Sequence, residues 1–180
     1  MTIALKKKLK EMFASEESIG IQQLDFSTGE TEEEFNKRGH GRPFEDIATL
    51  PNGFGMGNCG YCADYVIKAL GEGYRYGFHC EDNPVSEREI EGVGGHDFAV
   101  IQGRYIVDIW ISLYVGATEQ VVYDMRDKAD EKAITHIFGD PNKWSVYDHV
   151  NKRAYEAKDV PENLKLSLGR PSQAQGLSMS

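Results

Sequence analysis

Three side chains of this sequence could together perform nucleophilic chemistry: Cys59, His96 and Asp108. A thiol attacks a carbonyl as the thiolate. A helix N-terminus favours that anion, because its first backbone N–H groups are unpaired and the helix dipole is positive there. Cys59 directly follows Asn58, a good N-cap, and opens an apolar-periodic run. The same N–H groups can hold the oxyanion formed when a carbonyl is attacked. A nucleophilic cysteine also needs a proton acceptor, and the acceptor needs a group that orients it. His96 opens a strand-like run after the glycine-rich EGVGG, a position where active-site side chains are usually presented. Asp108 lies within an otherwise apolar run. A buried carboxylate is costly unless paired, and His96 is the obvious partner.

The elements that must position these residues can be read from period and punctuation. Cys59, Cys62, Ala63, Val66, Ile67 and Leu70 fall on one helical face, and Gly71 is a good stop, so residues 59–70 are expected to form a buried helix. His96–Gln102 and Tyr105–Leu113 are β-rich and are expected to pair as a hairpin of two central strands. Short strands are expected at Tyr74–Phe78 and Val121–Asp124, and a helix over residues 127–138. Leu5, Leu9, Met12 and Phe13 carry the stripe of an N-terminal amphipathic helix, with Lys6, Lys7 and Lys8 expected in solvent. Residues 25–53 and 71–95 read as irregular apart from the Tyr74–Phe78 strand, and the glycine-rich PNGFGMGN lacks the Lys-Ser/Thr ending of a phosphate loop. Helices first and strands later give an α+β arrangement, without the alternation of βαβ units. Residues 1–165 are expected to form one catalytic domain, and the small, polar residues 166–180 a disordered tail.

The pairing of His96 with Asp108 sets a condition on the hairpin. A two-residue loop at Gly103-Arg104 pairs residue 102 with 105, sets Asp108 opposite Ala99, and puts the two side chains on opposite faces. A three-residue loop pairs 101 with 105 and sets Asp108 opposite Phe98, on the face of His96 and one diagonal step away. A functional triad therefore requires an odd loop or a bulge, with Gly103 free to take a positive φ.

Composition narrows the function classes. The 180 residues carry 29 acids against 20 bases, net −9, which argues against a general nucleic-acid binder or a protein of anionic membrane surfaces. No run approaches a membrane span, and charges interrupt the N-terminal apolar runs, unlike a signal peptide. Three cysteines do not fit a disulfide scaffold; they point to a reducing compartment or to one reactive thiol.

The run G-N-C-G-Y-C-A-D-Y, then G-H-D-F-A-V-I, then Y-I-V-D-I-W resembles the papain-like cysteine hydrolases, closest to the toxin and effector branch that includes bacterial protein-glutamine deamidases. The resemblance covers about residues 55–112. It implies a papain-like fold, with the nucleophile helix packed on a mainly antiparallel sheet. It also implies Cys59 as nucleophile, His96 as general base and acid, and Asp108 as the orienting carboxylate. The reaction it implies is hydrolysis of a protein amide without a cofactor or metal. Glutamine side-chain deamidation comes first and cleavage of peptide or isopeptide bonds second. The protein would be cytoplasmic or delivered into a host cell as an effector. Aligned instead on the papain proteases, Cys62 takes the nucleophile's place, Met56 stands where their oxyanion glutamine would be, and the tryptophan after their cysteine is absent. Asn58 and Gln102 are the candidate oxyanion side chains, and Trp110 is a candidate pocket wall.

Other readings use the same residues. Cys62 fits a small apolar core position or a reversible disulfide with Cys59. C-G-Y-C also fits a thioredoxin-like dithiol, although a glycine-rich stretch precedes it where that fold has a strand. Cys59, Cys62, His79 and Cys80 could supply four soft ligands to zinc, with adjacent His79 and Cys80 an awkward pair. A catalytically inert scaffold that blocks a partner is the non-enzymatic alternative. His40, His136 and His149 lie in polar stretches and are expected at the surface, while Trp144 is expected to anchor the core.

Overall fold

The computed structural model describes residues 2–13, 59–83, 95–114, 118–148 and 152–169. Helix α1 spans Thr2–Phe13, α2 spans Cys59–Leu70 and α3 spans Lys128–Ile137. The strands are β1 (Tyr74–His79), β2 (Gly95–Ile101), β3 (Tyr105–Val107), β4 (Val122–Asp124), β5 (Ser145–Asp148) and β6 (Arg153–Tyr155). They form one six-stranded sheet in the order β4-β3-β2-β1-β5-β6, antiparallel at every junction. The architecture is α+β, with α2 packed on the two central strands β1 and β2.

Helix α1 forms for the reason its pattern predicts: Leu9 and Phe13 are buried, and Leu5 and Met12 pack at the margin of the core. Lys6 departs from the expectation. It is largely covered, and its ammonium bonds Asp130 at 2.5 Å and Asp127 at 3.3 Å. Asp127 is the N-cap of α3, accepting from Ala129 N, so Lys6 ties α1 to a cluster of anions at the start of another helix. Asp130 is buried and also accepts from Gln120 Nε2 and from the backbone N–H of Asp124. Sequence spacing does not reveal this tie, because its partners lie more than a hundred residues from Lys6.

The hairpin between β2 and β3 meets the condition for a triad. Ile101 pairs with Tyr105, Val100 with Ile106 and Ala99 with Val107, so the loop is Gln102-Gly103-Arg104. Gln102 and Gly103 both take positive φ, as a type I′ turn requires, and Arg104 is the extra residue. Its guanidinium forms a two-pronged bond to Asp124 on β4, at 2.7 and 2.6 Å, which holds the bulge in place.

The strand expected over Tyr105–Leu113 is shorter than predicted and ends at Val107. The Asp108 N–H still bonds Val121 O, but its Oδ1 accepts from Ile111 N and bends the chain into a π-helical turn over Trp110–Tyr114. Ile109, Trp110, Ile111 and Ser112 are all buried, and consecutive burial looks the same in a central strand and in a covered helical turn. Strands β5 and β6, which complete the sheet beyond β1, were not expected. They are short, and only β5 alternates in burial. The ordered chain also runs past residue 165: Leu166 and Leu168 pack against the core, and Gly169 N donates to Met125 O at 2.8 Å. Residues 170–180, the irregular stretch 25–53 and the PNGFGMGN run lie outside the described residues.

Candidate active site

Cys59 is the first residue of α2, as its spacing predicts; Asn58 lies outside the described residues. The helix buries Cys62, Ala63 and Val66, while Cys59 at its tip is 8% exposed against 2% for Cys62. The Cys62 thiol is pushed far up, first by burial and then by the nearby Asp108 and Cys59. The Cys62 thiolate is thus strongly disfavoured.

His96 is the second residue of β2. Its side chain and that of Asp108 are 0% and 1% exposed, and Nε2 meets Asp108 Oδ2 at 2.5 Å. The contact follows from the register. Continuing the ladder from Ala99–Val107 sets Asp108 level with Phe98, one diagonal step from His96 on the same face. The carboxylate is held at both ends, Oδ2 by His96 and Oδ1 by Ile111 N at 3.1 Å.

Four aromatic rings enclose the imidazole. Trp110 lies at 5.0 Å between centroids, Phe78 edge-on at 5.8 Å, Phe98 at 6.1 Å and Phe138 stacked at 6.3 Å. Phe78 is the direct cross-strand partner of His96. Phe138 ends α3 and is braced by Trp144, whose indole N–H donates to its carbonyl at 2.6 Å. This setting gives the ring one orientation. The other nitrogen, Nδ1, is buried without a hydrogen-bond partner, an exception that calls for a functional explanation. Cys59 lies close enough to the same ring to raise its pKa.

The charge balance on His96 follows. Burial disfavours the imidazolium most strongly of any single effect, but Asp108 and then Cys59 together outweigh it and raise the pKa from 6.5 to about 10. A pKa raised by folding stabilises the native state fully below the unfolded value of 6.5, and the gain is lost as pH rises through about 10. The stability difference between the protein and a His96→Gln variant should therefore be largest near pH 6 and shrink steadily towards pH 10. Urea unfolding at several pH values measures it; a difference that grows with pH would contradict the imidazolium assignment.

The auxiliary candidates fare differently. Gln102 stands at the hairpin turn, six residues along from His96 and so roughly 20 Å away along the strand. Its amide donates to Glu72 at 3.0 Å. It is therefore not an oxyanion donor at this site. Trp110 is 1% exposed and packs on the imidazole, so it braces the His96 ring and does not wall an open pocket. His136 is exposed as expected. His40 and His149 lie outside the described residues. Among the described residues, no three of the His, Cys, Asp and Glu side chains are grouped to hold a metal ion, so Cys59, Cys62, His79 and Cys80 do not converge on one. No described helix is long and apolar enough to cross a membrane. Arg75 and Asp97 beside the site are not marked by any local pattern; Asp97 directly follows His96, but its ion-pair partner Arg75 comes from β1 and its other neighbour, Gly60, from α2.

No family model matches this chain, and no curated protein or solved structure was found to be similar to it.

Proposed function

We propose that the chain is a cysteine-dependent amide hydrolase of papain-like type, acting on the side-chain carboxamide of protein glutamine. The observation that carries this reading is the buried His96–Asp108 pair, whose unpartnered Nδ1 shares its surroundings with a cysteine at a helix N-terminus. The resemblance of the motifs around Cys59, His96 and Asp108 to the deamidase branch supplies the substrate class.

The chemistry is a two-step acyl transfer. The Cys59 sulfur, as thiolate beside the His96 imidazolium, attacks the carboxamide carbon and forms a C–S bond. Backbone N–H groups at the start of α2 receive the developing oxyanion. The tetrahedral adduct collapses as Nδ1 passes its proton to the leaving nitrogen, releasing ammonia and leaving a thioester. Water then gives a proton to Nδ1 and attacks the thioester carbon. The C–S bond breaks, glutamate is released, and the thiolate–imidazolium pair returns. The net exchange of ammonia for water adds about 1 Da to the intact substrate.

An N-blocked Gln-Gly dipeptide and unfolded casein are suitable probes. Release of ammonia with a gain of about 1 Da per glutamine and no chain cleavage is expected. Fragments would replace the deamidase by a protease acting through the same residues. A Cys59 that is alkylated no faster than Cys62 and Cys80 would exclude the thiol hydrolase altogether.

A further inference from the structure

Beside the triad lies a charged cluster that the proposed reaction does not use. Asp97 follows His96 on β2 and by alternation faces the other side of the sheet. Its part-exposed carboxylate lies against Gly77 of strand β1 and Gly60 in the first turn of α2. A Cβ added at Gly77, its cross-strand partner, would fall 2.2 Å from Oδ1, and one added at Gly60 would fall 3.1 Å from Oδ2. A side chain at Gly77 would displace the carboxylate, and one at Gly60 would press on it. Arg75 on β1 lies against the same turn, its Nη1 at 3.3 Å from the Gly60 Cβ position. The Arg75 guanidinium donates from Nη1 to Asp64 Oδ2 on α2 at 2.9 Å, ion-pairs through Nε with Asp97 at 3.7 Å, and lies over the Tyr147 ring of β5 at 4.6 Å.

This cluster touches the immediate neighbour of each reacting residue, Gly60 after Cys59 and Asp97 after His96. Apolar packing of Cys62, Ala63 and Val66 sets how far α2 stands from the sheet, but such packing has little direction along the strand. Directional ionic contacts supply what it lacks.

We infer that Arg75 is a positioning residue, which with Asp97 and Asp64 clamps the first turns of α2 to strand β2 and so sets the Cys59 thiol against His96. The inference rests on reading Cys59 and His96 as nucleophile and base. Asp97 itself is held above the usual carboxylate range by burial, with Arg75 and His96 working against that rise. Loss of Arg75 would leave the Asp97 and Asp64 carboxylates near one another with no cation between them, and the first turn would shift to relieve the repulsion.

The test measures iodoacetamide alkylation of Cys59 by peptide mapping between pH 5.5 and 9, together with the melting temperature of each variant. Arg75→Met should slow Cys59 alkylation at pH 7 by about tenfold or more and shift its pH profile, since small displacements of reacting groups are costly. Arg75→Lys should recover part of the rate, because an ammonium keeps the charge but not the fork that spans two carboxylates. Gly60→Ala changes no charge and favours the helix, yet crowds the Asp97 carboxylate. It should slow alkylation without lowering the melting temperature, and it decides the matter alone if Arg75→Met fails to fold. Folded Arg75→Met with the wild-type rate and pH profile would overturn the clamp, as would wild-type behaviour of Gly60→Ala. If His96→Gln abolishes Cys59 selectivity while the Arg75 and Gly60 variants keep it, only the clamp is wrong. If wild-type Cys59 shows no selectivity, the catalytic reading is wrong and the clamp falls with it.

Discussion

Replacing His96 by glutamine is expected to slow alkylation of Cys59 at least about 100-fold at pH 7 and to abolish turnover on the blocked dipeptide. Glutamine is the informative replacement. His96 is fully enclosed by Trp110, Phe78, Phe98 and Phe138, so alanine would open a cavity and leave Asp108 buried without a partner. A glutamine amide can still donate to Asp108 Oδ2 and fills most of the ring's volume. What it cannot do is carry the positive charge that His96 holds up to about pH 10, or take and return a proton at the position of Nδ1. Alkylation of Cys62 and Cys80, both buried, should be unchanged and serves as the internal control for folding. Equal Cys59 reactivity in the two proteins would remove His96 from the mechanism.

Asp108→Asn should leave the fold intact and reduce turnover by about 10³- to 10⁴-fold. The asparagine carbonyl can keep the bond from Ile111 N that starts the turn after β3. Its amide nitrogen then faces His96 Nε2, where Asp108 Oδ2 now accepts at 2.5 Å. Nε2 must become an acceptor, so the single proton of the neutral ring moves to Nδ1, the atom that must receive a proton from the thiol. Without the carboxylate only Cys59 opposes the burial penalty, and the His96 pKa should fall well below about 10. Two measurements check this: the pH titration of the His96 ring protons by NMR, and single-turnover rates on the blocked dipeptide. Turnover within about tenfold of wild type would show that the carboxylate serves structure only.

Much of this site is legible in the amino-acid sequence. A helix that begins at Cys59, a strand that begins within one residue of His96 and an acid in an apolar run are all local patterns of period and punctuation. Even the geometric requirement follows from the chain alone, because side chains alternate along a strand and one residue in the loop decides which face Asp108 takes. The choice between the two loops is not legible there. It is held by Arg104, the bulged residue, bonded to Asp124 on β4. The end of β3 is hidden because buried strand and buried helical turn share the same apolar run, and Asp108, expected only to orient the histidine, also caps the turn. Lys6 is expected in solvent because nothing near it in the chain predicts Asp130.

Read alone, the amino-acid sequence shows which groups are available for chemistry, where helix α2 begins and, to within a residue, where strand β2 begins, and the α+β order of elements. These depend on side-chain type and on neighbours within a few residues. It takes the packed chain to show that His96 and Asp108 meet, that four rings enclose the imidazole, that Cys62 is more deeply covered than Cys59, and that Arg75 reaches both α2 and β2. Register, burial and charge pairing arise between segments far apart in the chain, and their energies exist only once those segments are packed together.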